Sequence, residues 1–144
     1  MKFSTWIALF SQTGSEISAL SAALNRSPDF VITNSNLDEV NSNVGVDFRV
    51  NKDEAKTLDI LENLEFDINN TLITLNGWLR IVPPDKCSKY NIYNGHPGLI
   101  TKYPELKGKD PQQRTWDDMH RYDTVGSVVH RVVEEVDAGE IVAE

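Results

Sequence analysis

The run Trp6-Ile7-Ala8-Leu9-Phe10 limits what this chain can fold into more than any other feature. Five consecutive apolar residues leave no side for water, as a strand covered on both faces requires. Polar residues from Ser11 to Glu16 then turn the chain, and Ile17, Leu20, Ala23 and Leu24 recur at helical spacing. Thr13 and Glu16 have the spacing of a capping box. A buried strand feeding an amphipathic helix is how an α/β sheet begins.

The alternation continues. Residues 30–33 read as a second strand that closes in Asn34-Ser35-Asn36, and residues 46–50 as a half-buried edge strand. Asn51 and Glu54, a partial match to the capping box, open a helix with Ala55, Leu58, Leu61 and Leu64 inward. Residues 72–75 are the next strand; residues 79–82 follow and stop at Pro83-Pro84. Residues 90–93 make a short strand that runs into Asn94-Gly95-His96-Pro97. Residues 100–120 read as a long loop with one helical turn, and such loops often carry function. Residues 127–134 predict a strand, Asp137-Ala138-Gly139 a turn, and Ile141-Val142 the start of a last strand. The implied fold is α/β, a mostly parallel twisted sheet flanked by helices and related to the Rossmann arrangement. Its 144 residues fit one domain, residues 1–144.

Composition narrows the function. A formal net charge of -8 argues against general attraction to nucleic acid or an anionic membrane. One cysteine, Cys87, allows no intrachain disulfide and suits a reducing, cytoplasmic setting. The first ten residues carry one positive charge and a short apolar run, but no small-residue cleavage pattern follows, so a first strand explains them better than a leader. No stretch approaches the ~20 apolar residues of a spanning helix.

Ligands in open α/β sheets bind at the carboxyl ends of strands. Gly14, Ser15 and Glu16 stand at one such end, where backbone N–H groups can meet an anion; with one glycine and no Walker lysine, an ordinary strand-to-helix turn explains them as well. Asn94-Gly95-His96 is open to two readings. Asn-Gly is a strong turn signal. Equally, an Asn amide and a His imidazole displayed together can donate to one oxygen, a role worth ~10²–10³ in rate. Asp137 is either a turn former or the partner of His96 in proton relay. His130 shares a strand face with Val128 and Val132, which suits a supporting role. His96, His120 and His130 lack local metal-ligand spacing, so no metal is expected.

Several segments, in order, resemble one family. Asn94-Gly95-His96-Pro97-Gly98-Leu99-Ile100 with Lys102-Tyr103-Pro104, Gly126 to His130, Glu135-Val136-Asp137-Ala138-Gly139, and Leu75 to Val82 are similar to segments of the folate-dependent formyltransferases of the glycinamide ribonucleotide type. The resemblance implies transfer of a formyl group from 10-formyltetrahydrofolate, as co-substrate, to an amine. It makes Asn94, His96 and Asp137 the catalytic residues. Leu79, Arg80, Ile81 and Val82, with Val133, Glu134, Glu135 and Val136, would wrap the pterin. Gly14, Ser15 and Glu16 take the place of the acceptor's phosphate loop, with His130 behind the catalytic residues.

Three departures qualify the acceptor. Thr101 stands where the family often has a proline, and the expanded stretch from Glu105 to Asp118 would shape a different acceptor site. Glu16 stands where the family often has Asn, and a carboxylate is unfavourable beside a phosphate. The family normally continues past the position of Glu144, so the sequence reads as a C-terminally shortened form, and a homodimer would cover its last strand. A nucleotide-precursor amine is the default acceptor. The alternatives are a sugar-nucleotide amine as acceptor, hydrolysis of formyltetrahydrofolate, and a non-catalytic folate-binding module.

Overall fold

The apolar run becomes β1 (Thr5–Phe10), in which Ile7, Ala8, Leu9 and Phe10 are wholly buried. The computed structural model describes residues 3–144; Met1 and Lys2, at the head of the segment weighed as a leader, lie outside the described residues. Successive side chains of a strand point to opposite faces. Ile7 and Leu9 accordingly join one core cluster, while Trp6, Ala8 and Phe10 join another. Ile17 of α1 (Ser15–Leu24) covers the second face. Ala55, Leu58, Leu61 and Cys87 cover the first.

β1 pairs in parallel with β2 (Phe30–Thr33) on one side and with β4 (Thr71–Leu75) on the other. β3 (Phe48–Arg49) extends β2 in parallel, and β5 (Ile92–His96) extends β4. β6 (Val128–Arg131) and β7 (Ile141–Ala143) add antiparallel strands, giving the order β3-β2-β1-β4-β5-β6-β7. The expected mostly parallel α/β sheet is present, with β1 near its centre.

Local chemistry explains where the sequence reading holds and where it departs. The Asn51–Glu54 capping box forms: the Asn51 side chain accepts from Glu54 N at 2.8 Å, and the Glu54 carboxylate accepts from Asn51 N at 3.0 Å. The inward face is as expected, but the helix is broken. α2 (Lys52–Thr57) ends at Leu58, whose φ of 54° is left-handed, and α3 (Ile60–Asn63) follows. The Thr13–Glu16 box does not form, because Gly14 is the N-cap and Glu16 therefore falls one position early. Gly14 has φ 75°, which strains any side chain there, and a Cβ would also crowd the Phe10 ring at 3.1 Å. Residues 79–82 are irregular rather than a strand. Pro83-Pro84 instead opens α4 (Pro84–Lys89), with proline in its first turn. The long loop contains α5 (Pro111–Asp117), also proline-initiated, between short 3₁₀ turns at Pro104–Leu106 and Met119–Arg121.

Among the described residues, no helix is long and apolar enough to cross a membrane. Truncation of a wholly buried leucine removes its transfer free energy and leaves a cavity. Leu9→Ala is therefore expected to lower stability by about 2–5 kcal/mol, read as a lower urea midpoint at unchanged slope. A loss below about 1 kcal/mol would contradict the packing assigned to β1.

Candidate active site

β5 carries the first two site residues. Asn94, Gly95 and His96 lie within the strand rather than in a turn after it. Strand alternation therefore turns Asn94 and His96 to the same face, with Gly95 to the other. Asn94 is directly opposite His130 on antiparallel β6, and paired residues share a face. The Asn94 amide nitrogen lies 3.5 Å from His130 Nε2.

Asp137 joins these residues from the loop after β6. Its backbone is left-handed at φ 56°, and Ala138 N closes a turn onto the Glu135 carbonyl at 3.3 Å. The loop then folds back on β6, where Arg131 N donates to the Glu140 carbonyl at 2.9 Å. A Cβ on Gly139 would overlap the Arg131 carbonyl oxygen, so glycine alone permits this approach. The result is a carboxylate only 7% exposed that faces two imidazoles: Oδ2 lies 3.5 Å from His96 Nδ1, and Oδ1 lies 3.3 Å from His130 Nε2. Oδ2 also accepts from Gly108 N at 2.7 Å.

Both histidines have their second ring nitrogen on a backbone carbonyl. His96 Nε2 donates to Leu106 O at 2.8 Å, and His130 Nδ1 donates to Arg131 O at 3.0 Å. The His130 ring, with acceptors at both nitrogens, satisfies both only when doubly protonated. For His130, burial lowers the pKa, but the hydrogen bonds to Asp137 and Arg131 O outweigh it and leave the pKa above its ordinary value. For Asp137, burial acts upward, yet bonds from His130 and Gly108 and the nearby His96 bring the carboxyl below its ordinary value.

The remaining expected residues lie on neighbouring strand ends. Ser11, just after β1, ties down the segment after β4: its amide donates to Gly77 O at 3.0 Å, and its hydroxyl accepts from Leu79 N at 2.9 Å. Of the expected pterin-facing residues, Val82 is buried in the core cluster that also holds Val132. Leu79, Ile81, Val133 and Val136 are exposed, as are Arg80, Glu134 and Glu135. Gly14 is buried, whereas Ser15 and Glu16 are exposed. The Glu16 carboxylate reaches the far face of β5, 3.4 Å from where a Gly95 Cβ would stand. Partial burial raises its pKa against a lowering hydrogen bond from Asn76. Asn76 is itself oriented by Thr74 Oγ1, 2.7 Å from its Oδ1.

Two contacts at the site had no signal in the sequence, Leu106 O and Gly108 N, and the buried Trp78 indole N–H has no partner among the described residues. A cavity of about 410 Å³ also opens between α5 and the segment after β5, with Gly98, Leu106, Thr115 and Trp116 in its walls. No group of His, Cys, Asp or Glu among the described residues could hold a metal ion.

Fold and site together define an α/β protein with an Asn–His pair at one strand end and a buried carboxylate bridging two histidines. Residues 3–144 match the formyl transferase family model, and the chain belongs to that family. It is 35% identical over 80 residues to a phosphoribosylglycinamide formyltransferase of Dictyostelium discoideum, a match covering 49% of this chain and 37% of that protein. Over 88 residues it is 35% identical to the enzyme of the same name from Haemophilus influenzae, covering 60% of this chain and 37% of the relative. The matches thus span just over a third of these curated relatives. Among solved structures, phosphoribosylglycinamide formyltransferase from Anaplasma phagocytophilum superposes with a TM-score of 0.75 at 23% identity, covering 99% of this chain and 70% of that one. A sugar N-formyltransferase from Shewanella superposes with a TM-score of 0.57 at 20% identity, covering 95% and 55%. At these identities the structures establish the shared fold.

The paired shifts set a pH window. Asp137, lowered, contributes stability that is present above its ordinary value of 3.8 and lost as pH falls through the lowered one. His130, raised, contributes stability that is full below 6.5 and lost as pH rises through the raised value. The stability difference between wild type and His130→Gln should peak between these two ordinary values and shrink on either side. Denaturant melts across pH measure it; a difference that grows steadily above neutrality would contradict the pairing.

Proposed function

We propose that this protein transfers a formyl group from 10-formyltetrahydrofolate to an amine. The observation that carries the reading is the Asp137 carboxylate, held by Gly108 N and facing His96 and His130 beside Asn94. The amine nitrogen would attack the formyl carbon as the carbonyl electron pair moves to oxygen. Asn94 and His96 would donate to that oxygen, each such donor being worth ~10²–10³ in rate. For Nε2 to do so, His96 must exchange the Leu106 carbonyl for the substrate oxygen. Asp137 would hold the imidazolium charge and take the proton that leaves the amine, through water. N10 of the folate would gain a proton as its bond to the formyl carbon breaks, giving the formamide and tetrahydrofolate.

The residues present suit such a donor. Leu79, Ile81, Val133 and Val136 leave apolar side chains in solvent on two segments rooted in one core cluster. Trp78 adds a buried N–H without a protein partner. An amphipathic heterocycle needs both kinds of surface.

The acceptor half lies across β5, at Gly14, Ser15 and Glu16. An amine approaching there meets a carboxylate, which favours a cationic acceptor and opposes a phosphate. The test is formyl-folate with a panel of amines, with and without phosphate groups, following tetrahydrofolate release. Turnover should require an amine, and Glu16→Asn should shift preference toward phosphorylated amines at least several-fold. Equal turnover without any amine would replace transfer by hydrolysis. Unchanged preference in Glu16→Asn would remove Glu16 from acceptor selection.

A further inference from the structure

The two groups that orient the candidate catalytic pair come from one short loop, residues 105–109. Leu106 O accepts from His96 Nε2 at 2.8 Å, and Gly108 N donates to Asp137 Oδ2 at 2.7 Å. Leu106 anchors the start of the loop by packing with Ile100 and Val128, but the stretch that follows it has no such anchor. Gly108 has φ 89°, a conformation free glycine readily leaves, and Lys107 and Lys109 lie on either side.

Arg114, on α5, ties the loop's carbonyls together. Its guanidinium donates to four successive or near-successive carbonyls: Nη1 to Glu105 O at 2.6 Å, Nη2 to Leu106 O at 3.1 Å and to Lys107 O at 2.8 Å, and Nε to Lys109 O at 2.9 Å. Leu106 O is therefore shared, accepting from both Arg114 and His96. A guanidinium presents five N–H donors in a rigid planar fork, and no other side chain can reach four carbonyls in this way. The half-buried Arg114 makes no ion pair among the described residues that would give its charge another use.

We propose that Arg114 is a positioning residue for the site, acting through the 105–109 loop to fix the His96 ring and the Asp137 carboxylate. With Leu106 O locked in place, Nε2 is the protonated nitrogen of His96, and Nδ1 is turned to Asp137. With Gly108 N locked in place, Asp137 is oriented to meet both histidines at once. Loss of the clamp frees both contacts while leaving the seven-stranded sheet, whose cores do not include Arg114. The proposal rests on the formyl-transfer reading only for its kinetic consequence; the orientation of His96 is a property of the chain alone.

The experiment is ¹⁵N NMR of the histidine ring nitrogens in the full chain, wild type against Arg114→Ala and Arg114→Lys. Backbone amide shifts of Ile7 and Leu9 in the same spectra report whether the sheet is intact. In wild type, His96 Nε2 should be protonated and hydrogen-bonded. In Arg114→Ala, that hydrogen-bonded Nε2 signature should be lost, with the β1 amides unmoved. Arg114→Lys should resemble Arg114→Ala, because a single ammonium cannot replace the fork. Where formyl transfer is measurable, kcat should fall at least 10-fold in both variants, because Asp137 loses the Gly108 N–H that aims it, with KM for the folate changed less than 3-fold. An unprotonated Nε2 in wild type overturns the proposal whatever the variants do, as does a wild-type His96 spectrum in a folded Arg114→Lys or Arg114→Ala. A chain that shows the expected spectra but no formyl transfer would instead remove the activity and keep the positioning role.

Discussion

The buried Asp137 carboxylate is the interaction on which the site depends. It is nearly inaccessible to water and has hydrogen-bonding or charged partners in three directions: His96, His130 and Gly108 N. A carboxylate removed from water is costly unless it is paired and hydrogen-bonded. That cost explains much of the surrounding structure. Gly139 allows the loop to fold back over β6, the left-handed backbone at Asp137 aims the side chain, and β5 pairs with β6 so that Asn94 and His130 meet. Remove the carboxylate and two imidazoles lose the partner that draws them together.

The rest of the sheet serves to hold these strand ends. β1, apolar on both faces, fixes β4 beside it, and β4 fixes β5. Ser11 links the end of β1 to the segment after β4. The parallel strands thus bring Gly14–Glu16, residues 77–82 and Asn94–His96 to one edge, while antiparallel β6 delivers His130 and Asp137 to the same place. Asn94 and His96 face one side of β5 and Glu16 meets Gly95 on the other, as alternation along the strand requires.

How much of this the sequence made legible follows from the range of the physics involved. The continuous apolar run of β1 and the inward set Ala55, Leu58 and Leu61 are local patterns, and they read correctly. The Asn51–Glu54 cap is also local and forms. The Thr13–Glu16 cap fails for a backbone reason: Gly14 takes the cap position, a choice that depends on the Phe10 ring packed against it. Residues 79–82 look like a strand by composition, but no neighbour pairs with them. Asn94-Gly95-His96 has the composition of a turn, and pairing with β4 and β6 holds it in a strand instead. The trio Asn94, His96 and Asp137 was available from order and resemblance. The clamp of Arg114 on the 105–109 carbonyls was not, since backbone acceptors leave no mark on residue identity.

If the Asp137 carboxylate makes this strand end a formyl-transfer site, its loss must stop the transfer itself. This is tested most directly by following a ¹³C-labelled formyl group from the folate in wild type and in Asp137→Asn. Label should reach the amine nitrogen of the acceptor in wild type, with transfer at least ~10²-fold slower in a folded Asp137→Asn protein. Label transferred equally fast by both proteins would contradict that role.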